Sequence, residues 1–300
     1  RQTATLDALG HLKISAVDAY GQLAEVREYE GTYSLPLDWA ALEQPNNYYA
    51  RTRYAYDTLG NLITVTDTLG NVTTMGYDKL SRKTSMLDPD MGAWQYRYDN
   101  AGNLVKQRDA RNQAICFYYD TLNRLKGKTY HNNVSNLDTL TCNATTYTVT
   151  YTYDVGVYGI GRRTGMSDGS GSTSWTYDAR GRVTQETKVI NGGGTFKTQW
   201  GYDSLDRVTW MKYPSGNTGG TGEQVNYTYA ANGALNSVSG TGPYVQSTAY
   251  DAAGRVTQRV LGNPAVLYTT YAYYPWTTAN GQGRLQTLKT GTGVPPNNTS

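Results

Sequence analysis

The chain has almost no phenylalanine: 2 Phe stand against 28 Tyr in 300 residues. Apolar residues make up 38% and the mean hydropathy is −0.61, which is low for a domain built on a thick core. Tyr can be half-buried with its hydroxyl in water, so the imbalance suits a single-layer sheet with both faces partly accessible. Histidine is as scarce. His11 and His131 are the only two, both fall in predicted loops, and they support no catalytic triad. The two cysteines are too few for a disulfide framework. Cys116 lies in a predicted strand and Cys142 in an irregular insert, so two free thiols are the expected state. Charged residues are only 17% and the net charge is +3. That balance carries neither a nucleic-acid footprint nor a polybasic membrane patch. No apolar run approaches the ~20 residues of a membrane-spanning helix. The glycine-rich stretches lack Gly-Lys-Ser/Thr, which excludes a phosphate loop. The chain opens at Arg1, not Met, and is read as a processed product or a fragment.

What is present is a ruler. Tyr56-Asp57, Tyr77-Asp78, Tyr98-Asp99 and Tyr119-Asp120 stand 21 residues apart, with Asp67, Asp88 and Asp109 about half-way between. The pair returns at Tyr153-Asp154, Tyr177-Asp178, Tyr202-Asp203 and Tyr250-Asp251. A fixed period of this length signals a repeat architecture in which each unit leans on its neighbours.

Each pair is followed by a turn. Asp suits the first position of a type I turn, and the slot three residues on needs positive φ. That slot holds Gly60, Gly102, Gly181 and Gly254, or the next most tolerant residues, Asn112, Asn123 and Asp206; Ser81 fits it poorly. The bulged hairpin so defined sets a register. Tyr56 should oppose Leu62, Tyr98 Leu104, Tyr119 Leu125, Tyr177 Val183, Tyr202 Val208 and Tyr250 Val256. Extended further, the rule sets Trp200 opposite Trp210 on the same face. Aromatic–aliphatic pairs of this kind contribute roughly 0.2–1 kcal/mol each. Tyr54, Tyr96, Phe117, Trp175, Trp200 and Tyr227 stand two before a Tyr and share its face, making one continuous aromatic ladder. On the other face Asp178–Arg182, Asp203–Arg207 and Asp251–Arg255 are expected as wet pairs of little net worth.

The expected fold is therefore all-β: a long antiparallel sheet of hairpins, curved or spiralled. Roughly two dozen strands at ~4.8 Å give ~115 Å of contour, about one turn of a ring near ~37 Å across. Residues 1–290 read as a single array, with irregular inserts at about 30–50 and 130–147 and a disordered tail at 291–300. In the first insert, Asp38 caps one or two helical turns that stop before Pro45. The uncharged run Tyr268–Tyr274 has no Lys or Pro to protect an edge. It is expected to be covered by further repeats or by a second copy of the chain.

At this point the residues resemble a known family. The motif in Tyr54-Ala55-Tyr56-Asp57-Thr58-Leu59-Gly60-Asn61-Leu62 and in Trp175-Thr176-Tyr177-Asp178-Ala179-Arg180-Gly181-Arg182-Val183 is similar to the RHS, or YD, repeat. The resemblance covers roughly residues 6–290. The family includes bacterial polymorphic toxins, shell components of insecticidal toxin complexes, and teneurins. It implies a β-sheet spiralling around a hollow interior that encloses a C-terminal toxin freed by an aspartyl autoprotease. No segment here resembles that protease. The resemblance implies a non-enzymatic part of a secreted or cell-surface shell, with further repeats or a toxin cargo of the same polypeptide as partners.

The repeat residues Tyr56, Asp57, Gly60, Leu62, Tyr77, Asp78, Tyr98, Asp99, Gly102, Leu104, Tyr119, Asp120, Leu125, Tyr177, Asp178, Gly181, Tyr202, Asp203, Tyr250, Asp251 and Gly254 are read as structural. Catalytic residues, cofactors and metals are read as none. Asp88-Pro89-Asp90-Met91-Gly92 and Asp168-Gly169-Ser170-Gly171 have the look of calcium loops but lack a downstream bidentate Glu. Two further readings stand beside the shell. One is an adhesion module whose exposed Trp94, Trp175, Trp200, Trp210 and Trp276 stack on surface glycans. The other is self-assembly through open sheet edges.

Overall fold

The computed structural model describes residues 1–44, 48–262, 266–279 and 281–292. It consists of two units, Arg1–Thr148 and Val149–Ser300. Apart from a short helix, both are built of antiparallel strands paired in sequence order. In the first unit these are β1 (Gln2–Leu6), β2 (Leu12–Val17), β3 (Leu23–Tyr29), β4 (Ala50–Tyr56), β5 (Leu62–Thr66) and β6 (Val72–Tyr77). They continue as β7 (Lys83–Asp88), β8 (Gly92–Tyr98), β9 (Leu104–Arg108), β10 (Ala114–Tyr119) and β11 (Leu125–His131). The second unit holds β12 (Val149–Tyr153), β13 (Arg163–Asp168), β14 (Gly171–Tyr177), β15 (Val183–Ile190), β16 (Gly194–Tyr202) and β17 (Val208–Ser215). It ends with β18 (Gly220–Tyr229), β19 (Leu235–Ser239), β20 (Pro243–Tyr250), β21 (Val256–Gly262), β22 (Val266–Tyr273) and β23 (Leu285–Gly291).

The hairpin chemistry forms as the sequence dictates. Asp57 N–H bonds the Asn61 carbonyl at 2.9 Å and Gly60 N–H the Asp57 carbonyl at 3.1 Å; the Asp99, Asp178 and Asp251 turns do the same with their own partners. Gly60, Gly102, Gly181 and Gly254 have φ of +83°, +88°, +83° and +78°, and Asn112, Asn123 and Asp206 are also positive. Ser81 adopts +60° despite its side chain, because the hairpin around it leaves no alternative. Tyr56 pairs with Leu62, Tyr98 with Leu104, Tyr119 with Leu125, Tyr177 with Val183, Tyr202 with Val208 and Tyr250 with Val256.

One step beyond that pair the register departs from expectation. The ladder shifts by one residue between Gly201 and Tyr202, so Trp200 faces Met211 and Trp210 faces Gly201. Trp210 is therefore not opposite Trp200. A Cβ on Gly201 would collide with the Trp210 indole, which lies on the face away from Trp200 and Tyr202. The same shift recurs at Tyr56, Tyr98, Tyr119 and Tyr177. Each of these Tyr-Asp hairpins thus carries a second bulge inside its strand.

Core is scarce. Among the described residues nine apolar side chains are buried. Four of them form one cluster: Leu12, Ile14, Tyr29 and Leu42. This cluster exists because the first insert folds back over β1–β3. Helix α1 (Trp39–Leu42) is capped by Asp38, whose carboxylate accepts from Ala41 N–H at 3.2 Å, and Leu42 is pressed onto the sheet. The buried Tyr29 hydroxyl donates to the Leu42 carbonyl at 2.8 Å. Residues 132–147 do the same over β8–β11, bringing in Leu137, which is fully buried. Both inserts cover the face opposite the tyrosines, as strand alternation from Val17 and from Tyr119 requires.

Three expectations are corrected. Cys116 and Cys142 are not free thiols; they form a disulfide with Cα atoms 5.7 Å apart, because the second insert returns across the β10 face that carries Cys116. The Tyr268–Tyr274 run needs no foreign partner, since Tyr268 to Tyr273 are paired by β23 of the same chain. That last strand is exposed and contains Lys289. It also carries Gly291, so the expected tail begins no earlier than 292; residues 293–300 lie outside the described ones.

Candidate functional site

The repeat itself is the organised feature of the molecule, and it is a clasp between hairpins. The turn Asp comes first. Asp57 Oδ1 accepts from Leu59 and Asn61 N–H, both at 2.9 Å, and Oδ2 from Asn61 Nδ2 at 2.8 Å. Where the fifth residue is Arg the second oxygen takes the guanidinium instead, at 2.7 Å in Asp78–Arg82, Asp178–Arg182, Asp203–Arg207 and Asp251–Arg255. These pairs are not wet ornaments: their side chains are about a quarter exposed, Arg182 and Asp178 being 21% and 23%.

The guanidinium then reaches forward. Arg82 Nη1 donates to the Asp99 carbonyl at 2.9 Å and Arg182 Nη1 to the Asp203 carbonyl at 2.8 Å, each in the following Tyr-Asp hairpin. It also covers that hairpin's tyrosine. Arg82 lies 5.0 Å from the Tyr98 ring centre, Arg182 4.7 Å from Tyr202, Arg207 4.4 Å from Tyr229 and Arg255 4.3 Å from Tyr273.

The tyrosine reaches back. Tyr77 donates its hydroxyl to the Leu62 carbonyl, Tyr98 to that of Lys83 and Tyr119 to that of Leu104, each at 2.9 Å. In the second unit Tyr177, Tyr202, Tyr229, Tyr250 and Tyr273 bond the carbonyls of Arg163, Val183, Val208, Leu235 and Val256 at 2.6–2.8 Å. The expectation of wet hydroxyls is thus wrong at the repeat positions. The hydroxyl is the tie, and it explains why Phe is almost absent. Burial raises the pKa of Tyr77, Tyr98, Tyr119 and Tyr202, because it penalises the charged phenolate and so keeps the hydroxyl a donor.

The carboxylates move the other way. Hydrogen bonds from Asn61, Asn71 and Asn103 side chains hold Asp57, Asp67 and Asp99 below the usual carboxylate value, and Arg182 does so for Asp178. A carboxyl that resists protonation only when folded stabilises the fold above its unfolded pKa, 3.8, and loses that contribution as pH falls below it. The chain should therefore keep constant stability from pH 7 to 5 and lose it steeply below about pH 4. Urea midpoints by circular dichroism across that range check this; a midpoint falling already at pH 6 would place the titration elsewhere.

The other candidates do not assemble. His11 Nδ1 sits 2.8 Å from Asp7 Oδ2, and His131 Nε2 2.8 Å from Thr129 Oγ1. Asp88 accepts from Asp90 and Met91 N–H and from the Thr73 hydroxyl, and Asp168 from Ser170. Among the described residues no group of three or more His, Cys, Asp or Glu is placed to hold a metal. Trp94 stacks on Tyr96, and Trp175 Nε1 donates to Glu186 at 2.9 Å. Trp175 and Trp200 lie on the tyrosine face of the second unit, Trp210 on the other, and Trp276 is exposed beneath Arg255. Among the described residues no helix is long and apolar enough to cross a membrane.

A model of the RHS Repeat family matches residues 51–90, and one of the Teneurin YD-shell matches residues 147–268. The chain belongs to the RHS, or YD, repeat family. A search of the curated proteins finds no match to the sequence. Solved structures carry the same fold. A crystal structure of TcdB2-TccC3 aligns at a TM-score of 0.71 and 17% identity, over 94% of this chain and 15% of that one. The Tc holotoxin pore of Photorhabdus luminescens, with a mutated TccC3, aligns at 0.71 and 16%, over 96% and 14%. TcdB2-TccC3 without its hypervariable C-terminal region gives 0.70 and 17%, over 95% and 14%. This RHS array thus spans about one seventh of the length of the chains it resembles.

Proposed function

We propose that the chain is wall material: a non-enzymatic part of a secreted or cell-surface RHS-type β-shell that encloses or presents a toxin or other cargo segment of the same polypeptide. The observation that carries the reading is the reciprocal clasp. A sheet with little core gains its rigidity from ties between successive hairpins, an arithmetic suited to a thin wall and wasteful in a catalytic domain. The scattered placement of the acids and histidines supports the same reading, since acid–base work needs groups converging on one point.

Limited proteolysis of the gene product, purified natively from its source cells, tests it. Segments outside the array should resist trypsin while the array is folded and become sensitive once urea opens it. Equal cleavage before and after opening would overturn enclosure. Hydrolysis of peptide, ester or glycoside substrates, abolished by one Asp or His substitution, would overturn the non-enzymatic reading. Binding to a glycan array, lost on substituting Trp175 or Trp200, would favour adhesion.

A further inference from the structure

In the first unit the face opposite the tyrosines carries two cationic clusters, and one of them is already occupied. Arg97, Lys106 and Arg108 lie beneath the 132–147 strap. Lys106 Nζ donates to the Leu140 carbonyl at 2.7 Å and to that of Leu137 at 3.3 Å. Arg108 Nη1 donates to the carbonyls of Val134, at 3.1 Å, and Ser135. Arg97 grips both oxygens of Asp138, at 2.6 and 2.9 Å. What this face receives over three cations is an irregular peptide that offers main-chain oxygens and one carboxylate.

The second cluster, Arg27, Arg51 and Arg53 on β3 and β4, lies on the same face; Arg51 reaches the Tyr48 hydroxyl of the first insert at 3.4 Å, whereas Arg53 stands exposed beyond it. Register places Arg51 opposite Arg27 and Arg53 opposite Glu25, all on this face. Glu25 cannot neutralise the group. Its Oε1 is taken by Arg27 and its Oε2 by Arg51, whose Nε lies at 2.8 Å. The Arg53 side chain is exposed and makes no hydrogen bond or ion pair among the described residues. Beside it is a concavity of about 520 Å³, and among the described residues Glu25 is the one acid lining it. Ala16 and Ala55 leave its floor open, and Thr64 and Thr66 line it with hydroxyls. Arg53 faces Thr66, and Ala55 faces Thr64, across the β4–β5 pair.

We propose that this concavity binds an acidic polypeptide segment, with a carboxylate seated in the fork of Arg53 and its neighbouring oxygens on the Arg27 side and the threonine hydroxyls. The planar guanidinium suits a carboxylate bidentately, and the threonine hydroxyls beside it offer further donors. The inference stands on the strap's own example and holds whatever the array encloses.

The test uses the whole 300-residue chain and a fluorescein-labelled hexaglutamate peptide, read by fluorescence anisotropy at 50 mM and 150 mM salt. Hexaglutamate should bind, hexaglutamine should not, and Arg53→Glu should weaken binding at least tenfold. Arg111→Glu makes the same charge change at an exposed turn, where Arg111 is 84% exposed, and should alter it less than twofold. Arg53→Met keeps the side-chain stem and should weaken binding at least fivefold, with an unchanged circular dichroism spectrum. Equal losses in Arg53→Glu and Arg111→Glu would reduce the effect to net charge and overturn the site. Absence of hexaglutamate binding would overturn it too, as would capture of a sulfated oligosaccharide with no peptide binding.

Discussion

Reduction of the Cys116–Cys142 bond should cost the first unit about 3.5 kcal/mol, the loop-closure value for a separation of 26 residues. The bond holds down an irregular segment whose other anchors are mostly polar: the Asp138 pair, four carbonyl contacts, the Val134 N–H to the Asn112 carbonyl and the Ala144 N–H to the Tyr118 hydroxyl, with Leu137 and the Tyr147 ring packed on the sheet. Cys116 is fully buried, so the face it occupies opens with the strap. Hydrogen exchange under native conditions is the measurement. Amides of β8–β11 should lose roughly two orders of magnitude of protection in dithiothreitol or in a Cys116→Ala/Cys142→Ala chain, while β14–β17 serve as the internal control. Equal protection with and without reductant would mean that the strap holds by its polar contacts alone.

Removing two hydroxyls should have the next largest effect. Tyr98→Phe and Tyr119→Phe keep the rings but leave the Lys83 and Leu104 carbonyls without their 2.9 Å donors. A lost hydrogen bond to a half-buried carbonyl costs about 1–1.5 kcal/mol, so the double variant should lose about 2–3 kcal/mol. Tyr20→Phe is the control. Tyr20 is 91% exposed, and the change should stay within about 0.5 kcal/mol. Urea unfolding with unchanged slope reads the difference. A double variant as stable as the parent would show that water replaces the hydroxyl at no cost.

What could be read from the residues alone follows from how local each cause is. Asp57, Gly60 and the pairing of Tyr56 with Leu62 are set within seven residues, and Asp38 caps its helix within three, so pattern suffices for them. The second bulge, which turns Trp210 away from Trp200, sits in mid-strand beside Thr209, where neither Gly nor Pro marks it. The acceptors of the tyrosine hydroxyls are main-chain oxygens of another hairpin, borne by Leu62, Lys83, Arg163 and Val208 alike, so no residue type announces them. The 28-to-2 excess of Tyr over Phe was the available signal. Cys142 lies in an insert without periodicity, and its return to Cys116 depends on the path of the whole loop. Arg53 and its unanswered charge became visible only when register set it opposite Glu25 and the side-chain bonds gave both Glu25 oxygens to Arg27 and Arg51.

The tyrosine ties span only 14 to 33 residues, most of them 15 to 21. Every strand pair described within a unit joins neighbours in sequence. Nothing in a hairpin therefore waits for a distant part of the chain, and the array has low contact order despite being all-β, a class that ordinarily folds slowly through non-local pairing. At a synthesis rate of roughly 5–20 residues per second, one 21-residue repeat leaves the ribosome in about one to four seconds. Its tyrosine meets a carbonyl that has already emerged. A long protein made this way can be completed from its first hairpin onward, with no large unpaired intermediate left exposed to aggregation.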